Sequence, residues 1–228
     1  MNMAANDLHV TIVGVGPGDP EMLTIKAQKA VESADIVVGF QTVLNVVSSW
    51  VTNGELCPMS YRDQDKVLDY AQSQVKAGKT CVVCAWGDLN VSARELLERV
   101  YTRIGKVTLI PGISSIQFAA ARTGIFMEES LFITLHKRAD TGADLEELIH
   151  HLNDGLRNII LLPRPFDLMP SLIATDLIKA GIPATRVVRV YQRLSFSDEQ
   201  CWEGTLGELG NYTKDFSDLS ILVFRLPE

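Results

Sequence analysis

The sequence predicts an α/β fold with a mainly parallel sheet in its first part, a mixed sheet in its second, and helices flanking both. Three observations predict it. Up to residue 125, short β-branched runs alternate with amphipathic helical stretches, the pattern of strand–helix–strand crossovers. Near the end, three β-like runs (186–191, 200–205 and 219–224) lie close together, with only a short turn at 206–209 between the last two. Such spacing favours antiparallel pairing. The chain has 228 residues, of which 46% are hydrophobic and 21% charged, enough for one large or two compact cores.

In order, the first strand is 8–14. A helix over 20–34 follows, with Leu23, Ala27, Ala30 and Val31 on its apolar side. A second strand covers 36–39. Residues 63–76 read as a helix, 80–85 as a buried strand, 93–103 as a helix, 107–110 as a strand and 115–122 as a small-residue helix. The stretch 124–129 is the expected domain boundary, giving domains 1–125 and 126–228. In the second domain, 131–135 and 158–162 are strands, and 144–152 and 170–179 are helices. No repeat or low-complexity segment interrupts the pattern.

The composition narrows the function classes. With 21 Lys and Arg against 28 Asp and Glu, the net charge is −7, which argues against a general nucleic-acid binder. No apolar run approaches the ~18 residues of a membrane span, and residues 1–7 lack the basic and apolar stretches of a leader. Four cysteines in a chain of this size suggest reduced thiols. A cytoplasmic protein is expected.

Three strand-end loops carry the chemistry. Gly14-Val15-Gly16-Pro17-Gly18-Asp19-Pro20 joins a strand to a helix, as nucleotide loops do. It departs from the dinucleotide fingerprint, because Asp19 stands where a third glycine belongs and the second strand ends Val37-Val38-Gly39 with no acidic residue. Asp19 followed by Pro20 is a helix start, and its carboxylate would occupy the place of a phosphate. The loop reads equally as a tight turn or as a seat for an uncharged or cationic ligand. The second loop is Trp86-Gly87-Asp88-Leu89-Asn90 and the third Pro111-Gly112-Ile113-Ser114-Ser115. Ligands bind beyond the carboxyl ends of strands in open α/β sheets, so the three together form a candidate floor for a flat ligand. Ser92 with Glu95, and Ser114 with Gln117, also fit helix capping boxes. Gly78-Lys79-Thr80 lies between helix and strand, the reverse of a phosphate loop. Cys81 and Cys84 have metal-like spacing, yet strand residues three apart face opposite ways and no second pair exists. They read as core residues, and no metal site is expected.

These three loops, in this order and spacing, resemble the tetrapyrrole (corrin/porphyrin) methylase family, the class III S-adenosylmethionine methyltransferases. Thr134-Leu135-His136-Lys137-Arg138, Gln192-Arg193-Leu194 with Asp198-Glu199, and Gly204-Thr205-Leu206 are similar to segments of its cobalamin-pathway C5 branch, which acts on cobalt-precorrin-7 or precorrin-6Y. Departures are Leu89 for proline, Lys137 for glycine and Gln192 for glutamate. The resemblance implies the two-domain tetrapyrrole methylase fold, a homodimer, and S-adenosylmethionine held in a cleft between domains. Val15, Gly16, Pro17, Gly87, Asp88, Val91, Ser114, Ser115, Leu162 and Leu194 would line that cofactor. The implied substrate is a precorrin or cobalt-precorrin methylated at C5, with C15 methylation and decarboxylation left to a separate protein.

The macrocycle carries many carboxylates, so Arg62, Lys137, Arg138 and Arg164 are candidate substrate cations; each also has an ordinary reading as solvated surface. No nucleophile–base pair stands out. His136 is the candidate for contact with substrate or proton transfer, or else a structural histidine at a strand end; His150 and His151 read as surface helix residues. Other readings are a diphthine synthase or rRNA 2′-O-methyltransferase of the same family, and a non-catalytic ligand-binding module.

Overall fold

The computed structural model describes residues 8–165 and 167–226; the segment 1–7, read above for a leader, lies outside them. The chain divides into two compact units, Met1–Ser115 and Ile116–Glu228.

In the first unit, strands β1 (His9–Gly14), β2 (Ile36–Phe40), β3 (Glu55–Met59), β4 (Cys81–Ala85) and β5 (Lys106–Ile110) form one sheet in the order β3-β2-β4-β1-β5. Every neighbouring pair is parallel. The helices between them are α1 (Ile25–Glu32), α2 (Gln41–Val47), α3 (Gln64–Lys76) and α4 (Arg94–Ile104). The two-residue period of the strands splits their apolar residues between two cores. Ile12, Val38, Cys81 and Val83 pack against α3 and α4, which supply Leu68, Ala71 and Val75, and Leu96, Val100 and Ile104. Val13, Val37, Val82 and Cys84 pack against α1 and α2. The central strand β4 is buried along its whole length, as a strand covered on both faces must be. Cys81 and Cys84 thus sit on opposite faces, and burial pushes the Cys81 thiol up to about 12.

In the second unit, β6 (Ser130–Thr134), β7 (Asn158–Leu162), β8 (Val187–Gln192), β9 (Gln200–Thr205) and β10 (Ser220–Phe224) form a mixed sheet, β6-β7-β10-β8-β9. β6 and β7 are parallel; β10 is antiparallel to β7 and β8, and β8 to β9. Strands β6, β7 and β8 therefore end at one edge. Helices α6 (Gly142–Asp154), α7 (Pro170–Lys179) and α8 (Leu206–Gly210) cover one face through Leu148, Ile173, Leu177 and Leu206. Helix α5 (Ser115–Thr123) buries Ile116, Ala119 and Ala120, and its Thr123 hydroxyl shares a 3.1 Å hydrogen bond with Tyr191 of β8. That helix goes with the second unit, so the expected boundary after residue 125 falls at its far end.

Four local expectations differ from the structure. The helix expected over 20–34 comes in two pieces. A single 3-10 turn, Pro20–Met22, is capped by Asp19, which accepts from Glu21 N at 2.9 Å; α1 then starts afresh under Thr24, which accepts from Ala27 N at 3.2 Å. The chain is extended at Leu23, which breaks the helical run. Helix α2 and strand β3 were not expected. α2 follows β2 with no side-chain cap on Phe40, so it lacks a start signal, and β3 is an edge strand carrying Glu55 and Pro58, a composition that reads as loop. The segment 206–209 is helical, under a Thr205–Glu208 capping box. The box expected at Ser92 does not form. Ser92 adopts φ +58 and Ala93 is the cap, which puts Leu96, a residue without an acceptor, where Glu95 was needed.

Candidate functional site

All five strands of the first unit run the same way, so the loops after β1, β3, β4 and β5 leave one edge of the sheet. Neighbouring β1 and β4 send their following chain to opposite faces, α1 to one and α4 to the other, the arrangement in which α/β sheets carry ligands. The backbones meet here at three glycines. A methyl group on Gly14 would stand 2.4 Å from Gly87 O and 2.7 Å from Gly112 N; one on Gly112 would stand 2.2 Å from Gly87 O and 2.6 Å from Gly14 O. No side chain fits at either position. Gly16 and Gly87 exchange two hydrogen bonds (3.2 and 2.8 Å) with both residues at positive φ, +83° and +59°, a conformation glycine adopts without penalty.

Asp88 fastens the second and third loops together. One carboxylate oxygen accepts from Asn90 N (2.8 Å) and Asn90 Nδ2 (3.0 Å); the other accepts from Gly112 N at 3.2 Å. Val91 N donates to Asp88 O at 3.1 Å. Leu89 is buried in the core beside Ala93 and Leu96, so the departure from proline replaces ring rigidity with an apolar anchor. Val15, Pro17 and Ser114 are buried. Val15 packs in the core and its N–H is bonded to Ala85 O at 2.9 Å. Arg62 is exposed in the turn after β3, held by Asp63 accepting from Ser60 N at 2.6 Å. That bond lowers the Asp63 carboxyl below its ordinary range. Val15, Gly16, Pro17, Gly87, Asp88, Val91, Ser114, Ser115 and Arg62 therefore share one edge.

The remaining predicted residues share the edge of the second unit where β6, β7 and β8 end. His136 N donates to Thr134 Oγ1 (3.1 Å), and Leu135 N to Leu162 O (2.8 Å), which joins the loop after β6 to the end of β7. Lys137 ion-pairs with Asp144 in the first turn of α6. Arg164 pairs with Asp167 at 2.7 Å and reaches the carbonyls of Lys137 and Ala139 at 3.4 Å each. Both cations thus already have a carboxylate of their own chain, with which a substrate carboxylate would compete. Arg138 is exposed on the same loop.

Leu194 is buried between two residues in the left-handed region, Arg193 (φ +51) and Ser195 (φ +68). Gln192 Oε1 accepts from Ser217 N at 2.8 Å, the bond a carboxylate would accept in its place. The residues that sequence reasoning missed are the acidic partners Asp144, Asp167, Asp198 and Glu199; only the last two stood in a quoted segment. Away from this edge, His150, His151 and Asp154 bring ligand-type atoms within 4.8 Å of one another at the end of α6. There Asp154 also takes Leu156 N at 3.0 Å, which together with the histidines lowers its carboxyl. Among the described residues, no helix is long and apolar enough to cross a membrane.

Residues 9–210 match the tetrapyrrole (corrin/porphyrin) methylases. A probable cobalt-precorrin-7 C(5)-methyltransferase of Methanocaldococcus jannaschii is 30% identical over 94% of this chain and 97% of its own. Two solved structures share the fold. A cobalt precorrin-4 methyltransferase superimposes with a TM-score of 0.75 at 18% identity, covering 98% of this chain and 97% of that one. A uroporphyrin-III C-methyl transferase from Thermus thermophilus, complexed with S-adenyl homocysteine, gives 0.72 at 18%, covering 95% and 92%. The chain belongs to the tetrapyrrole (corrin/porphyrin) methylase family.

Proposed function

We propose that this tetrapyrrole methyltransferase uses S-adenosylmethionine to methylate the C5 meso carbon of a precorrin or cobalt-precorrin in cobalamin biosynthesis. The observation that carries the cofactor is the backbone seat of Gly14, Gly87 and Gly112, where a methyl group added to Gly14 or Gly112 would fall within 2.2–2.7 Å of neighbouring backbone. It is a cradle of carbonyls and N–H groups, and it fits a ligand whose adenosine is flat and whose charges are a sulfonium, an amine and a carboxylate. The C5 position rests on the 30% identity, near full length, to a C(5)-methyltransferase.

When bound, S-adenosylmethionine supplies a methyl group on a sulfonium whose positive charge disappears as the methyl leaves. The chain's own part is mainly to hold donor and acceptor in line. An anion beside the sulfur would stabilise the ground state over the transition state. Both Asp88 oxygens accept from N–H donors, so this carboxylate organises the loops, and carbonyls of the first loop would be the groups offered to the sulfonium. Leu162 and Leu194 are further candidates for cofactor contact. Arg62, Arg138, Lys137 and Arg164 receive macrocycle carboxylates, the last two by exchange from Asp144 and Asp167. His136 contacts the substrate. A meso carbon conjugated to ring nitrogens is nucleophilic already; the new C–CH3 bond forms as the S–CH3 bond breaks, and the macrocycle, left one positive charge richer, releases a proton to solvent, so no dedicated base is assigned.

The test is incubation with S-adenosylmethionine carrying a 13C-labelled methyl and a precorrin or cobalt-precorrin acceptor, followed by NMR of the product. A single new methyl at C5 is expected. A methyl at another carbon would move the protein to a different branch of the family, and cofactor binding without any transfer would contradict the enzyme reading.

A further inference from the structure

Two of the three non-glycine residues at positive φ among the described residues, Arg193 and Ser195, flank Leu194. Left-handed backbone is unfavourable for side chains with a Cβ and persists only where surrounding contacts impose it. The contacts are specific. Arg193 Nε donates to both oxygens of Asp198, at 2.8 and 2.7 Å, and its guanidinium lies over the Phe196 ring at 4.4 Å. Arg193 N donates to Leu219 O at 2.9 Å, which ties the turn to the start of β10. Ser195 N donates to Glu199 Oε2 at 2.8 Å. Glu199 is in turn ion-paired with Arg122 of α5 at 3.1 Å, its side chain 21% exposed. α5 is the helix that opens at Ser115, at the end of the third glycine loop.

We propose that Glu199 is a positioning residue for cofactor binding: its carboxylate holds Ser195 in the left-handed turn that presents Leu194, and anchors that turn to α5. The inference rests on the S-adenosylmethionine reading above. Glu199 touches no cofactor atom in this account. It acts through the backbone of residue 195, and the charge on the carboxylate matters less than its acceptor oxygen.

The substitutions separate these contributions. Glu199→Ala removes the acceptor and the ion pair together. Glu199→Gln keeps an amide oxygen for Ser195 N and loses the ion pair. Ser195→Gly, placed in the Glu199→Ala background, relieves the need for a clamp because glycine populates positive φ readily. The experiment is calorimetric titration of each purified full-length protein with S-adenosylhomocysteine, with thermal unfolding recorded alongside. Glu199→Ala is expected to weaken binding about tenfold, the scale of one hydrogen bond to a charged group. Glu199→Gln should restore it to within about threefold, and the glycine double variant should recover part of the loss. A purely structural role would lower the melting temperature of the alanine and glutamine variants alike and leave the affinity of the folded protein unchanged, and that result would overturn the proposal while leaving the cofactor reading intact. No binding by the wild-type protein would overturn both.

Discussion

The strand-end edges of the two units are built by different means. In the first, loops meet backbone to backbone at Gly14, Gly87 and Gly112, and a single carboxylate, Asp88, ties two of them. In the second, loops are held by charged side chains: Lys137 to Asp144, Arg164 to Asp167, Arg193 to Asp198 and Glu199 to Arg122. The first has little freedom, because a close-packed backbone has no alternative rotamers. At Lys137 and Arg164 the second is adjustable, because partly exposed ion pairs contribute little each, whereas the turn at 193–195 is held by Asp198 and Glu199. A fixed seat suits a cofactor that is the same in every turnover, and an exchangeable set of cations suits a large polyanionic substrate.

The sharpest way to break this contrast is Gly112→Ala. Its methyl would meet two carbonyl oxygens of the seat, so the backbone must move. We expect a loss of ~1–3 kcal/mol in stability and S-adenosylhomocysteine binding weakened about a hundredfold, read by thermal unfolding and calorimetry. An unchanged affinity would show that the glycine contact is not part of the site. Asp88→Ala comes next, with binding weakened about tenfold and Asp88→Asn intermediate, since the amide keeps one acceptor.

The second edge is sharpened by acid. The Arg193 guanidinium holds the exposed Asp198 carboxyl below its ordinary value. A depressed folded value means that the pair contributes at pH above the unfolded carboxylate value and is lost as pH falls through the folded one. NMR titration of the Asp198 carboxyl carbon should therefore give a midpoint below ~3.9 that rises in Arg193→Gln, while the amides of Gly14, Val15, Gly16 and Gly18 stay unmoved. An unaltered midpoint in the variant would remove the Arg193 clamp from the account.

The smallest effect is on thiols. Burial pushes Cys57 to about 11 and Cys81 to about 12 and raises Cys84 as well; desolvation raises the Cys201 thiol too, but among the four it alone is exposed. A thiol reagent at pH 8 should label Cys201 alone in the native protein and all four cysteines after denaturation. Rapid native labelling of Cys84 would mean that the central strand opens.

The first edge was legible in the sequence and much of the second was not, for a physical reason. Glycine loops announce themselves through spacing, because a strand, a residue that must lack a Cβ and a helix start are all local. Asp88 was visible for the same reason. The clamp of Glu199 on Arg122 joins residues 77 apart in the chain, and nothing local marks which acid meets which base. Sequence also misread Asp19 as the cap of one long helix, since a 3-10 turn and an α-helix share the same opening residues. It missed β3, whose Pro58 and Glu55 are tolerated only because the strand lies at an edge. Leu89 and Gln192 read in the sequence only as departures from the family pattern; packing shows the first as an anchor, and hydrogen bonding shows the second as an acceptor for Ser217.

The cofactor is expected in the three-glycine seat. The most direct measurement is an amide-resolved NMR titration of the isotope-labelled protein with S-adenosylhomocysteine. The largest shifts are expected on the amides of residues 14–16, 18, 87–91 and 112–115, with those of 193–195 following at the same ligand concentrations. Saturable binding that leaves the Gly16, Gly87 and Gly112 amides unmoved would contradict it.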